Sequence, residues 1–171
     1  LQPDCNMPDG ESFARHALIS QRYFKDKFNI TAKTGYNVDS FGHNQALPKI
    51  LKACGMENYI FMRPSCEEQG RNESLFMWES DDESKVCTYR IPWFYNYDLG
   101  RMECFQKLKE KSDSENMDFM AFYGVGNHGG GPTIALIDAI DKLGIDDMIY
   151  STPDEYFSNV DREKLPVIKD E

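Results

Sequence analysis

The segment from residue 31 to residue 44 constrains the fold more than any other part of the chain. Its first part, residues 31–38, is rich in β-branched and aromatic residues and predicts a β-strand. Gly42 then breaks the pattern, and Asn44 suits the cap of a following helix. Asp39 is therefore predicted at the carboxyl end of a strand, where the chain turns toward a helix.

The rest of the chain repeats this alternation of strands and helices. Apolar residues at helical spacing predict a first helix over residues 11–28, and a near-continuous apolar run predicts a buried strand over residues 58–63. The other predicted elements are helices at 45–54, 100–111, 132–143 and 153–157, strands at 75–79, 86–91, 118–125 and 148–151, and polar loops at 65–74 and 111–116. This rhythm favours an α/β fold with a mostly parallel sheet, flanking helices and one antiparallel or inserted pair.

Composition limits the functions that the chain can have. A formal net charge of −10 argues against nucleic acid as a partner, and no apolar run approaches the ~18 residues of a membrane span. The five cysteines form no C-x-x-C pair, which is typical of reduced thiols in a cytoplasmic protein. We expect a single α/β domain over residues 1–171. Because the first residue is Leu1, we also expect the chain to begin inside a longer one, and homo-oligomerisation is left open.

Polar or glycine-rich loops follow three of the predicted strands. Because the carboxyl ends of parallel strands meet at one face, these loops are predicted to come together. They are Asp39-Ser-Phe-Gly-His43, Tyr95-Asn-Tyr-Asp98 and Gly126-Asn-His-Gly-Gly-Gly131, with Arg63 as a further polar group at a strand end. The plainer interpretation of the first loop is a capping aspartate, a core phenylalanine and a loop histidine.

Three kinds of site are compatible with these loops. A glycoside hydrolase needs a carboxylate, which Asp39 could supply, and a second group that delivers a proton. A carbohydrate-binding segment could use the same pocket without catalysis, with the aromatic residues as a wall for a sugar. A phosphate- or nucleotide-binding domain could use the glycine-rich loop, although this loop lacks the lysine and serine of a Walker motif.

Four segments resemble glycoside hydrolase family 38, the α-mannosidases, and in particular its bacterial branch. They are Pro3-Asp-Cys-Asn-Met-Pro-Asp-Gly-Glu-Ser12, Gly35-Tyr-Asn-Val-Asp-Ser-Phe-Gly-His-Asn44, Phe61-Met-Arg-Pro64 and Tyr123-Gly-Val-Gly-Asn-His-Gly-Gly-Gly-Pro-Thr133. The resemblance implies a retaining, zinc-dependent α-mannosidase that acts on α-linked mannosides or mannose-containing oligosaccharides. It also implies that the chain is a central part of a seven-stranded, barrel-like α/β catalytic domain.

The resemblance assigns roles to individual residues. It implies that Asp39 is the nucleophile and also a zinc ligand, and that Phe41 lies against the sugar. Arg63 matches an arginine of the family site, and Tyr97 and Asp98 are implied to lie on the substrate side. His43 is expected to be structural.

The sequence departs from the family pattern at two points. The His-x-Asp zinc motif is absent, since the only histidines are His16, His43 and His128. The remaining zinc ligands are therefore expected outside the chain, which we expect to be truncated at both ends. Asn127 and His128 stand where animal members carry two aspartates, one of them the proposed acid. His128 is therefore a candidate acid/base or sugar contact, and Asn127 a candidate sugar contact. We expect the isolated chain to be inactive.

Overall fold

The computed structural model of the protein describes residues 3–126 and 130–169. The chain divides into two compact units. The first combines Leu1–Pro92 with Pro153–Glu171, and the second is Trp93–Thr152.

The first unit is built on a five-stranded sheet. Its strands are β1 (Thr34–Asn37), β2 (Asn58–Phe61), β3 (Leu75–Glu79), β4 (Lys85–Arg90) and β5 (Val167–Ile168). The order across the sheet is β1-β2-β4-β3-β5. Strands β1, β2 and β4 are parallel, β3 and β4 form an antiparallel hairpin, and β5 is parallel to β3. The predicted mostly parallel sheet with one antiparallel pair is therefore confirmed.

Helices flank this sheet, and further helices lie in the second unit. The helices in the described part of the chain are α1 (Gly10–Phe28), α2 (Leu47–Ala53), α3 (Cys66–Gln69), α4 (Glu103–Glu115), α5 (Ile134–Asp141) and α6 (Pro153–Ser158). Short 3-10 turns span Leu99–Arg101 and Arg162–Lys164. Helix α1 begins where the Asp9 side chain accepts a hydrogen bond from the backbone of Ser12, and it ends at Asn29 in the left-handed conformation.

Each unit has its own hydrophobic core. The core of the first unit contains Cys5, Leu47, Tyr59, Phe61, Phe76, Trp78, Val86 and Ile168. The core of the second unit contains Tyr97, Cys104, Phe105, Leu108, Leu136 and Ile140. All five cysteines are free thiols, as predicted. Among the described residues, no helix is both long and apolar enough to cross a membrane.

Two predicted strands are wrong. Residues 118–125 make only one isolated bridge, between Tyr97 and Tyr123, and residues 148–151 form no strand. The first segment contains residues with high β-propensity, but it forms just two backbone hydrogen bonds with Tyr97. The Tyr97 amide donates to the Phe122 carbonyl, and the Tyr97 carbonyl accepts from the Gly124 amide. A strand needs a longer ladder than this to be stable.

Several helix boundaries also differ from the prediction. Helix α2 begins at Leu47 with Ala46 as its cap, because the side chain of Asn44 accepts a hydrogen bond from the Ala46 amide in a turn that precedes the helix. Helix α4 continues through the predicted linker to Glu115, where Lys111 and Glu115 form an ion pair one turn apart.

The remaining differences concern short elements. The predicted loop over residues 65–74 contains α3, which Ser65 and Glu68 start with a capping box. Helix α5 starts at Ile134 rather than at residue 132, because the Thr133 side chain caps it. Strand β5, the second 3-10 turn and the contacts of Val167 with β3 had no counterpart in the prediction.

Candidate active site

Asp39 and Arg63 form an ion pair at one edge of the sheet of the first unit. Asp39 follows β1 and Arg63 follows β2, and these two strands are parallel neighbours. Their carboxyl ends therefore lie side by side, which places Nε of Arg63 3.0 Å from Oδ1 of Asp39. The two side chains are 45% and 46% exposed, so the pair is accessible from solvent. The structure therefore brings Arg63, predicted as a polar group at a strand end, into contact with the carboxylate of Asp39.

Phe41 lies next to this pair. Its residue surface is 77% exposed, and the guanidinium carbon of Arg63 lies 5.6 Å from the centre of its ring. An exposed aromatic face beside a charged carboxylate and a guanidinium can contact the C–H face of a sugar while the polar groups bind its hydroxyls. The structure thus brings together Asp39, Phe41 and Arg63, three of the residues predicted from the sequence.

His43 lies below the loop that carries Asp39. Its Nε2 atom is 2.9 Å from the hydroxyl of Ser40 and 3.3 Å from that of Tyr59. The ring packs edge-on against Phe61, with 4.7 Å between the ring centres. Burial, with a smaller contribution from the charge of Arg90, lowers the pKa of His43 to about 4. His43 is therefore neutral at physiological pH and supports the loop, as expected from the sequence.

The N-terminal segment of the chain also contacts the strand that leads to Asp39. The side-chain amide of Asn37 donates to the Pro3 carbonyl at 2.6 Å and to the sulfur of Cys5 at 2.9 Å. The same sulfur lies 3.7 Å from the hydroxyl of Tyr59. Sequence reasoning assigned no role to these residues or to Ser40. The available signal for Pro3, Cys5, Asn37 and Ser40 was that they lie within the segments that carry the family resemblance, whereas Tyr59 lies outside those segments.

The second unit contains two further predicted residues, Tyr97 and Asp98. Tyr97 is 1% exposed, packs against Phe105 with 5.1 Å between ring centres, and has its pKa raised by burial. Asp98 is half-exposed and accepts a hydrogen bond from the Gly100 amide at 2.9 Å, which starts the first 3-10 turn. Because a buried ring offers little surface to a ligand, Asp98 is the more accessible of the two. Their roles toward a substrate remain predictions.

Close packing fixes the segment before Asp98. The guanidinium of Arg101 donates to the backbone and side-chain oxygens of Asn96 at 3.1 and 3.2 Å. Asn96 in turn lies against Gly126, where a methyl group would meet its side-chain nitrogen at 2.6 Å. Gly126 thus allows the start of the glycine-rich loop to approach this segment. The candidate residues Asn127 and His128 lie outside the described residues.

The described residues do not form a zinc site by themselves. No group of three or more histidine, cysteine, aspartate or glutamate side chains that could hold a metal occurs within residues 3–126 and 130–169. A catalytic zinc usually has three protein ligands, whereas Asp39 offers one carboxylate that Arg63 already contacts. The donor set in this part of the chain is therefore insufficient for the metal.

The sequence matches one protein family over its whole length. The profile described as "Glycosyl hydrolases family 38 N-terminal domain" matches residues 1–171. "Alpha-mannosidase G" of Dictyostelium discoideum is 33% identical over 174 residues, which cover 96% of this chain. "Alpha-mannosidase 2C1" of Homo sapiens is 26% identical over 170 residues, or 95% of this chain. The chain spans 16% of the length of each of these relatives.

Two solved structures share the fold. A crystal structure of an alpha-mannosidase from Enterococcus faecalis V583 superposes with a TM-score of 0.75 at 20% identity, and covers 99% of this chain and 21% of that chain. A protein in the glycosyl hydrolase family 38 from Enterococcus faecalis gives a TM-score of 0.61 at 20% identity, with 100% of this chain and 19% of that chain covered.

Proposed function

Because the chain belongs to the glycosyl hydrolase family 38 N-terminal domain family, we propose that it carries the nucleophile of a retaining α-mannosidase. The substrate class is an α-linked mannoside, free or within a mannose-containing oligosaccharide. The observation that carries the proposal is the pairing of Asp39 with Arg63 beside the exposed ring of Phe41. The names of the relatives, which are alpha-mannosidases, support the choice of sugar.

The geometry around Asp39 suits nucleophilic attack. The ion pair places Oδ1 of Asp39 3.0 Å from Nε of Arg63, and a charged partner at this distance orients the carboxylate. Asp39 lies outside the hydrophobic core, since its side chain is nearly half exposed. A carboxylate held in one orientation at an accessible strand end has the position that glycosyl transfer requires.

The proposed reaction has two steps. In the first, a carboxylate oxygen of Asp39 attacks the anomeric carbon, the bond to the leaving oxygen breaks, and a general acid gives that oxygen a proton. In the second, water attacks the same carbon, gives its proton to the same group, and releases the carboxylate. Arg63 orients the carboxylate in both steps, and Phe41 excludes water from one face of the sugar.

The proposal also assigns a general acid. His128 is proposed for this role, or as a sugar contact together with Asn127, since an imidazole can give and take a proton near neutral pH. On the substrate side, Asp98 and Tyr97 complete the proposed set. These assignments come from the family resemblance.

Zinc dependence is likewise proposed from the family resemblance. Asp39 would be the ligand that the described residues contribute, and further ligands would come from elsewhere. We assign no reaction step to the metal, because the donor set in the described residues is incomplete. A bacterial origin, a central position within the barrel-like catalytic domain and a cytoplasmic location are proposed on the same resemblance.

The role of Asp39 can be tested with the near-isosteric variant Asp39→Asn. The variant and the parent are compared in a protein of the length of the relatives, with a nitrophenyl α-mannoside as substrate. Because an amide cannot attack as an anion, we expect turnover to fall by about three orders of magnitude or more while the protein stays folded. The matched control is Asp161→Asn. Asp161 is an exposed carboxylate of the same unit that forms an ion pair with Lys164.

Retention is tested independently of the rate. A fluorinated mannoside that slows the second step should leave a sugar on the peptide that contains Asp39, and mass spectrometry locates it. The anomeric form of the first product, followed by NMR, should match that of the substrate. Inversion, or a label on a different carboxylate, would show that Asp39 is not the nucleophile.

A second candidate function is carbohydrate binding without hydrolysis. It is favoured by one observation, namely that the described residues lack a group of three or more metal-ligating side chains. Titration calorimetry with a mannoside separates the two candidates. Equal affinity of the parent and the Asp39→Asn variant for the sugar, with no hydrolysis by either protein, would support this second function.

A further inference from the structure

Ser40 is a buried residue that links Asp39 and Arg63, the two members of the ion pair. It follows Asp39 directly, and only 4% of its surface is exposed. Its hydroxyl lies 2.9 Å from Nε2 of His43 and donates a longer hydrogen bond, of 3.3 Å, to the carbonyl oxygen of Arg63. The buried side chain of Ser40 therefore contacts the backbone of Arg63, and Ser40 is bonded directly to Asp39 through the main chain.

The direction of these hydrogen bonds follows from the chemistry of the groups. A carbonyl oxygen only accepts, so the single Ser40 proton goes to Arg63, and the Ser40 oxygen accepts from Nε2–H of His43. His43 then carries its proton on Nε2 and leaves Nδ1 as a bare acceptor. Nδ1 is buried and, within the part of the chain that the structure describes, has no hydrogen-bond partner. A proton on Nδ1 would therefore be a buried donor without an acceptor, which costs free energy.

The imidazole that holds Ser40 is itself fixed in place. Its ring meets Phe61 at an interplanar angle of 88° and lies 5.5 Å from the ring of Trp78, measured between centres. The hydroxyl of Tyr59 also contacts Nε2. Since Phe61 and Trp78 are fully buried in β2 and β3, the imidazole is a rigid support that belongs to the core.

We propose that Ser40 is a positioning residue, which holds the Asp39 carboxylate and the Arg63 guanidinium in contact by linking their two loops to His43. Its importance for catalysis rests on the function proposed for Asp39. The hydrogen-bond chain from His43 through Ser40 to Arg63 can be tested without that function. If Ser40 merely fills space in the core, its removal would change stability but not the geometry of the ion pair.

A spectroscopic test reports on the ion pair itself. In NMR spectra of the 171-residue chain, the Nε–H of Arg63 should exchange slowly with water, because the negative charge of Asp39, 3.0 Å from Nε, repels the hydroxide ion that catalyses the exchange. Loss of the signal in Arg63→Lys assigns the peak. In Ser40→Ala the hydrogen bond from Ser40 to the Arg63 carbonyl is lost. We therefore expect the exchange of the Arg63 Nε–H to become faster by about fivefold or more, the effect of losing one hydrogen bond. Ser40→Thr keeps the hydroxyl and should restore slow exchange.

A matched control separates this effect from the loss of a buried hydroxyl. Ser74 is also a buried serine of the first unit, 1% exposed, and its hydroxyl has no hydrogen-bond partner among the described residues. Ser74→Ala should leave the Arg63 signal unchanged. If Ser40→Ala does not fold, Ser40→Cys replaces it, because the longer and weaker S–H donor also lengthens the link. An Arg63 signal that exchanges at the parent rate in the folded Ser40 variant would overturn the proposal.

A kinetic test relates the link to catalysis. In a protein of the length of the relatives, Ser40→Ala should lower kcat for a nitrophenyl α-mannoside by about tenfold to a hundredfold, with KM changed by less than about threefold, since only the orientation of the nucleophile is lost. If the parent hydrolyses no mannoside, the proposed function fails while the NMR result for Ser40 still stands. If the parent is active and Ser40→Ala keeps the parent kcat, the positioning role is wrong.

Discussion

The side-chain amide of Asn6 fills the space beside Gly42. A methyl group added to Gly42 would lie 2.7 Å from Nδ2 of Asn6, which is closer than real contacts of this kind. Gly42 also has a φ of 111°, a conformation that side chains other than glycine rarely adopt. The N-terminal segment therefore packs directly on the loop that carries Asp39 and Phe41.

This contact predicts a large loss of stability for Gly42→Ala. The backbone strain and the clash with Asn6 should together lower the free energy of unfolding by about 2 kcal/mol or more. Urea unfolding of the chain measures this value. Gly131→Ala is the control, since no atom of residues 3–126 and 130–169 lies within 4 Å of the added methyl group there. The free energy of unfolding should then change by less than about 0.5 kcal/mol.

A double variant separates the two causes of this loss. Asn6→Ala with Gly42→Ala removes the clash and leaves the backbone strain, so it should recover part of the lost stability but not all of it. Equal stability of the double and the single variant would mean that the contact with Asn6 has no energetic role.

Replacement of Arg63 should affect activity much more than stability. Arg63→Met removes the ion pair with Asp39 and the contact with Phe41, so we expect kcat to fall by about a hundredfold. Because both charges are nearly half exposed, the free energy of unfolding should change by less than about 1 kcal/mol. The control is Arg15→Met, which breaks the exposed ion pair with Glu11 in α1. If Arg63→Met keeps the kcat of the parent, Arg63 does not belong to the active site.

The buried imidazole of His43 predicts how stability depends on pH. Its pKa is lowered from 6.5 to about 4 in the folded chain, so below pH 6.5 the unfolded state binds a proton that the folded state does not. Stability is therefore fully present above pH 6.5, falls as the pH is lowered toward 4, and this loss levels off below 4. The full effect is at most about 3 kcal/mol.

The contribution of His43 is isolated by comparison with His43→Gln. Unfolding free energies of both proteins are measured from about pH 7 to about pH 4 by urea denaturation, and their difference cancels the carboxylates that titrate in the same range. We expect this difference to shift in favour of the variant as the pH falls. A difference that is independent of pH would mean that His43 has the same pKa in the folded and the unfolded chain, and hence that burial does not lower it.

The sequence alone was sufficient to predict the ion-pair edge of the sheet. Asp39 follows a segment rich in β-branched and aromatic residues, and Arg63 ends a near-continuous apolar run. Both segments are strands, and as parallel neighbours they bring their carboxyl ends together. Neither inference depends on distant contacts. The antiparallel hairpin of β3 and β4 was predictable for the same reason, since an acidic turn separates two clear strand patterns.

Other elements depend on contacts that no local pattern encodes. Strand β5 has two residues and exists because the Pro166 carbonyl accepts from the Met77 amide and sets the register with β3. Ser40 gave no signal either, since a buried serine is recognisable only when the partners of its hydroxyl are known. The capping box of Ser65 and Glu68, by contrast, is readable in the sequence and could have predicted α3.

The metal content of the chain gives the last prediction. Within residues 3–126 and 130–169, no three metal-ligating side chains come together, and the Asp39 carboxylate already pairs with Arg63. Each ligand that is missing removes both a bond and the rigidity that places it, so affinity should collapse rather than decrease gradually. We therefore expect the 171-residue chain to retain far less than one zinc ion per molecule after dialysis, and to hydrolyse no mannoside. Elemental analysis measures the zinc, and Asp39→Asn tests whether any retained metal depends on that carboxylate. Stoichiometric zinc that is lost in Asp39→Asn would show that this chain completes the site by itself.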